Sequence, residues 1–426
     1  MTAAIAVAVF AAAYALIASE RIDRVAVALG GAAAMVLIGA TDADHMFYSA
    51  HTGVDWNVIF LLFGMMIIVG FIHKTGVFEY LAITAIRAAG GRPKRSLAML
   101  VVMTAVASAL LDNVTTILLV VPMTLVIAHH LKVSPMPFLL SEVFASNIGG
   151  TATLVGDPPN IIIASRAGLT FNDFLVHLLP LAVIVIAVLV PVLQFMFRRE
   201  LRNTPADRAA IAELHPRRYI KDRPLLRKSG TVLSLVLVGF MTHSITHLEP
   251  SIVALLGAGV LAAIGGAKPS EYLRDIEWGT LLFFSGLFVM VGALVNVGAL
   301  GALADYLEAN LAGNEGATTL GILGVSALLS AVVDNIPYVV SMSPVVADLA
   351  ASMGTGDHSG LWWALAIGAD FGGNATIIGA SANVVAVGLA AKAGHHISFW
   401  RFLRYGLPVT LLSVGMGMLY AALRYV

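Results

Sequence analysis

The sequence predicts an all-α integral membrane protein. It reads as two inverted-topology repeats, each about five transmembrane helices plus a re-entrant hairpin, with broken helices at the midplane. Three observations carry this. Of 426 residues, 59% are hydrophobic and 12% charged, whereas soluble domains carry about 25% charged residues. Charge-free runs such as Ile59–Phe71 and Leu181–Phe197 belong to stretches near the length needed to cross a hydrocarbon core about 30 Å thick. Finally, a set of Gly, Asp-Asn and Pro markers recurs in order in the two halves.

The first repeat covers residues 1–197. Its scaffold helices lie within 1–73, as single crossings over Ala3–Ala18, Val25–Ala40 and Trp56–His73. The apolar N-terminal segment lacks a basic leader and reads as a first membrane helix rather than a signal peptide, although Ala11–Ala13 resembles a cleavage site. A hairpin over 96–130, a broken helix over 137–170 and a helix over 175–197 complete this half. Residues 198–228 are strongly basic and form a cytoplasmic, partly helical linker. The second repeat, 229–426, has scaffold helices within 229–297 (Gly230–Thr246, Ile252–Gly265, Trp278–Val297). A hairpin over 317–349, a broken helix over 361–391 and a helix over 402–423 follow.

The markers define the repeat. Asp55-Trp56 followed by Gly64, Gly70 and Gly76 matches Glu277-Trp278 followed by Gly286, Gly292 and Gly298, 222 residues on. At the same spacing Ser108, Asp112-Asn113 and Pro122 match Ser330, Asp334-Asn335 and Pro344. One residue later in register, Gly149-Gly150, Thr153, Gly156 and Asn160 match Gly372-Gly373, Thr376, Gly379 and Asn383. TFNDFLVHLLP (170–180) resembles SFWRFLRYGLP (398–408). Internal repeats of this kind are common in transporter folds.

Lys and Arg in short loops set the orientation. Arg21/Arg24, Arg87–Arg95, Arg198–Lys228, Lys268/Arg274 and Lys392–Arg404 are expected on the cytoplasmic side. The chain leaves and returns to that side between Arg95 and Lys132, which makes 96–130 a hairpin tipped by Asp112-Asn113. An odd number of crossings per half inverts the second, so 317–349 enters from outside with Asp334-Asn335 at its tip. Both termini are then external, a placement that Arg424 opposes.

Irregular backbone at membrane depth requires shielding by protein or by a water-filled cavity. Two tips and two breaks each start a half-helix whose free N–H groups and dipole face that cavity. Asp112 and Asp334 sit at the tips. Each suits an N-cap and equally a cation or proton, because a cap uses one carboxylate oxygen and leaves the other. Asp157, in Gly156-Asp157-Pro158-Pro159-Asn160, reads as a cap or a ligand. Its counterpart is Ala380, while Asp370 aligns with Asn147, so the halves are not equivalent. Asn113, Asn335, Thr115, Thr116, Asn147, Gly149, Gly150, Thr151, Thr153, Asn160, Gly372, Gly373, Asn374, Thr376, Ser381 and Asn383 are candidate ligands for a small ion or hydroxylated solute. Glu142, just before the first break, is a candidate proton relay.

Several classes fall away. The chain has no cysteine, hence no disulfide, thiolate site or cysteine nucleophile. No GxxxxGK[ST] phosphate loop appears, so the chain itself is not expected to hydrolyse ATP; a partner ATPase stays open. No zinc-protease pattern or serine elbow is present, and nothing points to nucleic acid. His129-His130 and His395-His396 read as interfacial rather than as metal ligands.

The motifs DNVTTILLVVP (112–122), SNIGGTATLVGDPPNIII (146–163), DNIPYVVSMSP (334–344) and FGGNATIIGASANVV (371–385) resemble the ion transporter superfamily. The likeness is to its arsenite permease, NhaD-type sodium–proton antiporter and P-protein branch, and it runs through most of the chain. It implies a homodimer in the cytoplasmic membrane, in contact with lipid. Each protomer would have a scaffold domain and a transport domain that moves like an elevator. Dicarboxylate transporters of that superfamily carry Ser-Asn-Thr at both tips; Asp-Asn here counts against a citrate-type substrate. The expected activity is secondary transport without a cofactor, coupled to H+ or Na+. Arsenite or antimonite efflux is the first reading and sodium–proton exchange the alternative. A small-anion transporter or channel would not need four membrane carboxylates, and an enzyme would need a nucleophile and base that the sequence lacks.

Overall fold

A computed structural model describes residues 2–19, 21–49, 52–201, 215–311, 315–354 and 359–426. Among them all regular structure is helical, and eight helices are long and apolar enough to cross a membrane. Part of the basic linker, 202–214, lies outside the described residues.

The first half runs through α1 (Thr2–Ser19), α2 (Arg24–Leu37), α3 (Ala43–Tyr48), α4 (Trp56–Lys74) and α5 (Val77–Ala88). It continues with α6 (Pro93–Leu110), α7 (Asn113–Leu131), α8 (Met136–Gly150), α9 (Pro158–Ala167), α10 (Phe171–His177) and α11 (Leu179–Met196). The second half has α12 (Arg223–Met241), α13 (His243–Thr246), α14 (Pro250–Ile264), α15 (Pro269–Tyr272), α16 (Trp278–Asn296) and α17 (Ala299–Leu311). Then come α18 (Glu315–Ser330), α19 (Asn335–Ser352), α20 (Gly360–Gly372), α21 (Ser381–Lys392) and α22 (Phe399–Arg424).

Packing follows the sequence markers. In lipid, helices associate where small residues let backbones approach. α4 crosses α14 where a Cβ on Gly64 would lie 2.8 Å from the Ala254 carbonyl carbon. α16 crosses α2 in the same way, with Gly286 over Ala28 at 2.7 Å. These four helices make one layer. In the other, α6 packs on α8 and α18 on α20, again through glycine. The second arm of each hairpin then packs on the half-helix of the opposite half: α7 on α21 and α19 on α9.

Four expectations change in detail. The crossing over 175–197 is interrupted at Leu178 (φ −108°), separating α10 from α11. Pro180 has no N–H to return to the preceding turn and its ring crowds that turn's carbonyl. The matching Pro408 stays within the continuous α22. α2 stops at Leu37, short of Ala40, where the chain turns through Gly39 at φ +71°. α12 starts inside the basic segment, at Arg223, because Asp222 Oδ1 accepts from Leu225 N at 2.8 Å and caps it. Its far end is at Met241, so 230–246 is not one helix.

α5 and α17 were not anticipated. They are 12 and 13 residues long, too short to span. α5 is amphipathic, burying Phe78, Ala82, Ile83 and Ile86. Each begins after one of the paired glycines, Gly76 (φ +76°) and Gly298 (φ +75°), a left-handed conformation that a side chain would strain.

Candidate functional site

The two tips and two breaks meet in one buried cluster of amides and carboxylates. Its supports are duplicated. At the first break Thr153 Oγ1 donates to Ala109 O (2.6 Å) and accepts from Gly156 N (3.1 Å). At the second, Thr376 Oγ1 donates to Ala331 O (2.6 Å) and accepts from Gly379 N (3.1 Å). Asn160 Nδ2 gathers the carbonyls of Gly150, Thr151 and Thr153, and Asn383 Nδ2 those of Gly373 and Thr376. Ser108 Oγ donates to Ser146 O and Ser330 Oγ to Ala369 O, tying each hairpin to its break. Several of the backbone groups freed by the breaks are thus met from within the protein, while the first turns of α9 and α21 have no side-chain cap.

The glycines serve the same closure. A Cβ on Gly149 would lie 2.3 Å from Ala105 O, and one on Gly372 2.4 Å from Ala327 O. Gly150 and Gly373 lie against the carbonyls of Gly156 and Gly379. All four face backbone of their own half.

The remaining polar groups converge at the centre. Asn113 Nδ2 donates to Asp157 Oδ2 at 2.7 Å and reaches Asn147 Oδ1 at 3.4 Å. Asn335 Nδ2 lies 3.4 Å from Asp157 Oδ2. Asn147 Nδ2 donates to Asn374 Oδ1 (3.1 Å) and Asn383 Oδ1 (3.0 Å), crossing between halves. Asp157 therefore gathers both tips, and its carboxylate makes no cap bond to α9. Asp370 is fully buried, and neither of its oxygens has a hydrogen-bond partner among the described residues. Thr151 and Asn160 flank it. The Thr151 hydroxyl, however, donates to Asn147 O, and the Asn160 amide is spent on its own loop. Among the described residues Asn113 Oδ1 and Asn160 Oδ1 are also buried acceptors without a donor, and Asn374 Nδ2 is a buried donor without an acceptor.

Asp112 and Asp334 do cap. Asp112 Oδ1 accepts from Thr115 N at 2.7 Å, and Asp334 Oδ1 from Ile336 N at 3.3 Å. Both are only partly buried. Ser381 Oγ donates to Asp334 Oδ2 at 2.5 Å, and Arg24 Nη1 lies 3.7 Å from the same oxygen. Thr116 is buried with an unpartnered hydroxyl. Glu142 is fully buried; its Oε1 accepts from Thr124 Oγ1 at 2.5 Å and its Oε2 has no partner among the described residues. It lies one helical turn from Ser146, which itself donates to Asn113 O at 3.0 Å.

The structure thus brings Asn113, Asn147, Asp157, Asn335, Asn374 and Asn383 together, with Asp370 and Asn160 alongside. Thr153, Thr376 and the glycines build the walls. Arg24 was read only as an orientation signal. Its contact, more than three hundred residues away in sequence, leaves no local pattern; the one available hint was an Asp-Arg pair opening an apolar helix.

With more unmet carbonyl and carboxylate oxygens than unmet amide donors among the described residues, the cluster suits a guest that brings positive charge or O–H groups. Comparison with known proteins agrees with a transport protein. The citrate transporter family model matches residues 14–368. An uncharacterized transporter of Mycobacterium tuberculosis is 55% identical over 423 residues, 99% of this chain and 98% of its own. The P protein of Homo sapiens is 33% identical over 501 residues, covering 99% of this chain and 60% of its own length. The crystal structure of the Alcanivorax borkumensis YdaH transporter, described as having an unusual topology, aligns with a TM-score of 0.59 at 15% identity. That alignment covers 86% of this chain and 84% of the other, and it bears on fold alone.

Proposed function

Since this chain belongs to the citrate transporter family and is a multi-pass membrane transporter rather than an enzyme, we propose that it is a cation- or proton-coupled secondary transporter with elevator-type alternating access. The layer of α2, α4, α14 and α16 is the scaffold, shared in a homodimer. The layer of α6–α9 and α18–α21 is the moving carrier, and the two halves cross the bilayer in opposite directions.

One observation carries the coupling. Asp370 and Asp157 are fully buried together, Asp157 lies within electrostatic reach of Asp370, Asp334 and Asp112, and the acceptors Asn113 Oδ1 and Asn160 Oδ1 stand beside them without donors. A charge at membrane depth costs on the order of 3 kcal/mol even by insertion scales. Protons or small cations relieve that cost, and they leave with the cargo or against it. Glu142 extends the path for a proton.

The cargo that fits best is arsenite or antimonite. A neutral trihydroxide supplies three O–H donors to the unmet oxygens of Asn113, Asn160 and Asp370 and an acceptor to Asn374 Nδ2, and it needs no thiol. Sodium is the second reading, favoured by the number of carboxylates. Citrate, which the family's description names, would enter beside these acids only with cations to offset its charge.

The test is flux into proteoliposomes under an imposed pH gradient, with arsenite, sodium, lithium, chloride and citrate compared. Arsenite uptake that follows the proton gradient is the expected result. Gradient collapse by sodium alone would remove the metalloid reading. Flux indifferent to both pH and sodium would remove coupling.

A further inference from the structure

Arg24 opens α2 in the static layer, yet its guanidinium reaches across to the mobile one. Nη1 donates to Ser381 Oγ at 2.7 Å and lies 3.7 Å from Asp334 Oδ2. Ser381 is the first residue of α21, and Asp334 is the cap of α19. One side chain of the scaffold thus holds the second hairpin tip and the second half-helix at once. Arg24 itself rests over the ring of Phe283, 5.3 Å from its centroid. A cavity of about 330 Å³, lined by Arg21, Asp23, Arg24, Asp334, Ser381 and Val384 among others, leads to this contact.

The equivalent helix start carries an acid instead, and the cross-layer contact there is of another kind: Asp55, the cap of α4, accepts from Ser165 Oγ of α9 and lies within electrostatic reach of Arg166. α14, the partner of α2 in the repeat, opens with Glu249-Pro250. The cavity beside it, about 180 Å³, is lined by Asn57, Glu249, Pro250 and Ser251 together with apolar residues of the first break. Glu277, an acid, lines a narrow cleft together with Asp112 and Arg24. The arginine therefore breaks the pseudo-symmetry at the point where the two layers must part.

We infer that Arg24 is a tethered internal cation, which occupies Asp334 while the carrier is unloaded and gives way when the coupling cation or proton arrives. The inference rests on the transport reading above. An unloaded carrier that moved would carry its uncompensated acids across the membrane and would dissipate the gradient. Arg24 prevents this by pinning the empty tip to the scaffold. Once Asp334 is neutralised or takes a cation, only the hydrogen bond from Arg24 to Ser381 Oγ is left between them, and the layers can separate. The pair suits this use: 39% of the Arg24 side chain remains exposed against 15% of the Asp334 side chain, so water can take over from Asp334 at the guanidinium. Because this latch differs from the Asp55–Ser165 contact of the other half, it favours one of the two end states.

The experiment compares wild type, Arg24→Gln and Arg24→Lys in proteoliposomes, with arsenite and with sodium as probes. Two quantities are read: exchange driven by an imposed pH gradient, and net leak of the gradient without cargo. Arg24→Gln should lower the ratio of exchange to leak by about tenfold, within the range usual for coupling between sites, and Arg24→Lys should retain most of it. A second reading needs no cargo. The chain has no cysteine, so a single Val384→Cys reports access to the cavity. Its rate of labelling by an impermeant maleimide in cation-free medium should fall several-fold when Arg24→Gln is added. Coupled flux in wild type with an unchanged ratio and unchanged labelling in Arg24→Gln would overturn this inference alone. Absence of coupled flux in wild type would overturn it together with the transport reading.

Discussion

Replacing Gly149 by alanine separates a packing role from a ligand role at the first break. The added Cβ would lie 2.3 Å from Ala105 O, 2.5 Å from Ala105 Cα and 2.8 Å from Ala105 C. Ordinary carbon–oxygen contact is about 3.2 Å or more, so α6 and α8 must open by roughly 1 Å along their shared face. The obstructing atoms are backbone, and no rotamer change relieves them. Overpacking of a tight core costs about 1–3 kcal/mol, occasionally more, and a backbone-on-backbone clash belongs at the upper end. Gly372→Ala, 2.4 Å from Ala327 O, should cost the same. Gly259→Ala is the control: nothing lies within 4 Å of its Cβ position in α14, and gain of helix propensity should make it neutral or better by up to about 1 kcal/mol. Thermal unfolding in detergent, followed by loss of monodisperse protein on size exclusion, measures all three. The first two should fall well below wild type and Gly259→Ala should not. Adding Ala105→Gly should fail to rescue Gly149→Ala, because that clash is with the main chain. Equal melting temperatures for Gly149→Ala and Gly259→Ala would refute the packing argument and return Gly149 to the list of ligands.

Four further outcomes follow from the same structure. Asp370→Asn should fold at least as stably as wild type, since it removes a buried charge that no donor meets, and it should abolish coupled flux; retained coupling would make Asp370 a bystander. Thr153→Val and Thr376→Val should each cost about 2 kcal/mol or more, because each strands a backbone carbonyl and a backbone N–H, and do so equally, since their hydroxyls make the same two bonds. A large inequality in melting temperature would mean the two breaks carry different loads. Glu142→Gln, which keeps the bond from Thr124, should slow proton-driven flux while leaving sodium-driven flux intact; an equal effect on both would reduce Glu142 to a structural group. With single cysteines placed at His247 and Lys268, membrane-impermeant labelling of cells should mark the first and spare the second; the reverse would turn the topology over.

Much of this was legible in the sequence because helix breaks at membrane depth demand special residues. Asp-Asn at both expected tips, paired glycines and the Thr and Asn that follow them stand out against an apolar background, and they fall within a few residues of the helix ends at Leu110, Gly150, Ser330 and Gly372. The use of each residue was harder to read. Asp157 precedes two prolines, as a capping residue would, yet its carboxylate turns away to Asn113 and Asn335. Local sequence describes the helix start but not the amides brought to it by other elements. α5 and α17 escaped for another reason: neither has the length of a span, and their polar faces resemble loop. The contact of Arg24 with Ser381 depends wholly on how two distant layers meet.

The cross-packing of the halves has a consequence for biogenesis. Asn147 finds its partners in Asn374 and Asn383, 227 and 236 residues further along, and α9 rests on α19. When the ribosome has delivered the first half to the membrane, that break has only its own hairpin beside it: Asn113 meets Asp157, but the Asn147 amide waits in the bilayer until nearly the whole chain has been threaded. The newborn first half is then a substrate for membrane insertases or quality-control proteases rather than a finished unit. Split between α11 and α12, the two pieces should be rapidly degraded when made singly and should survive when made together.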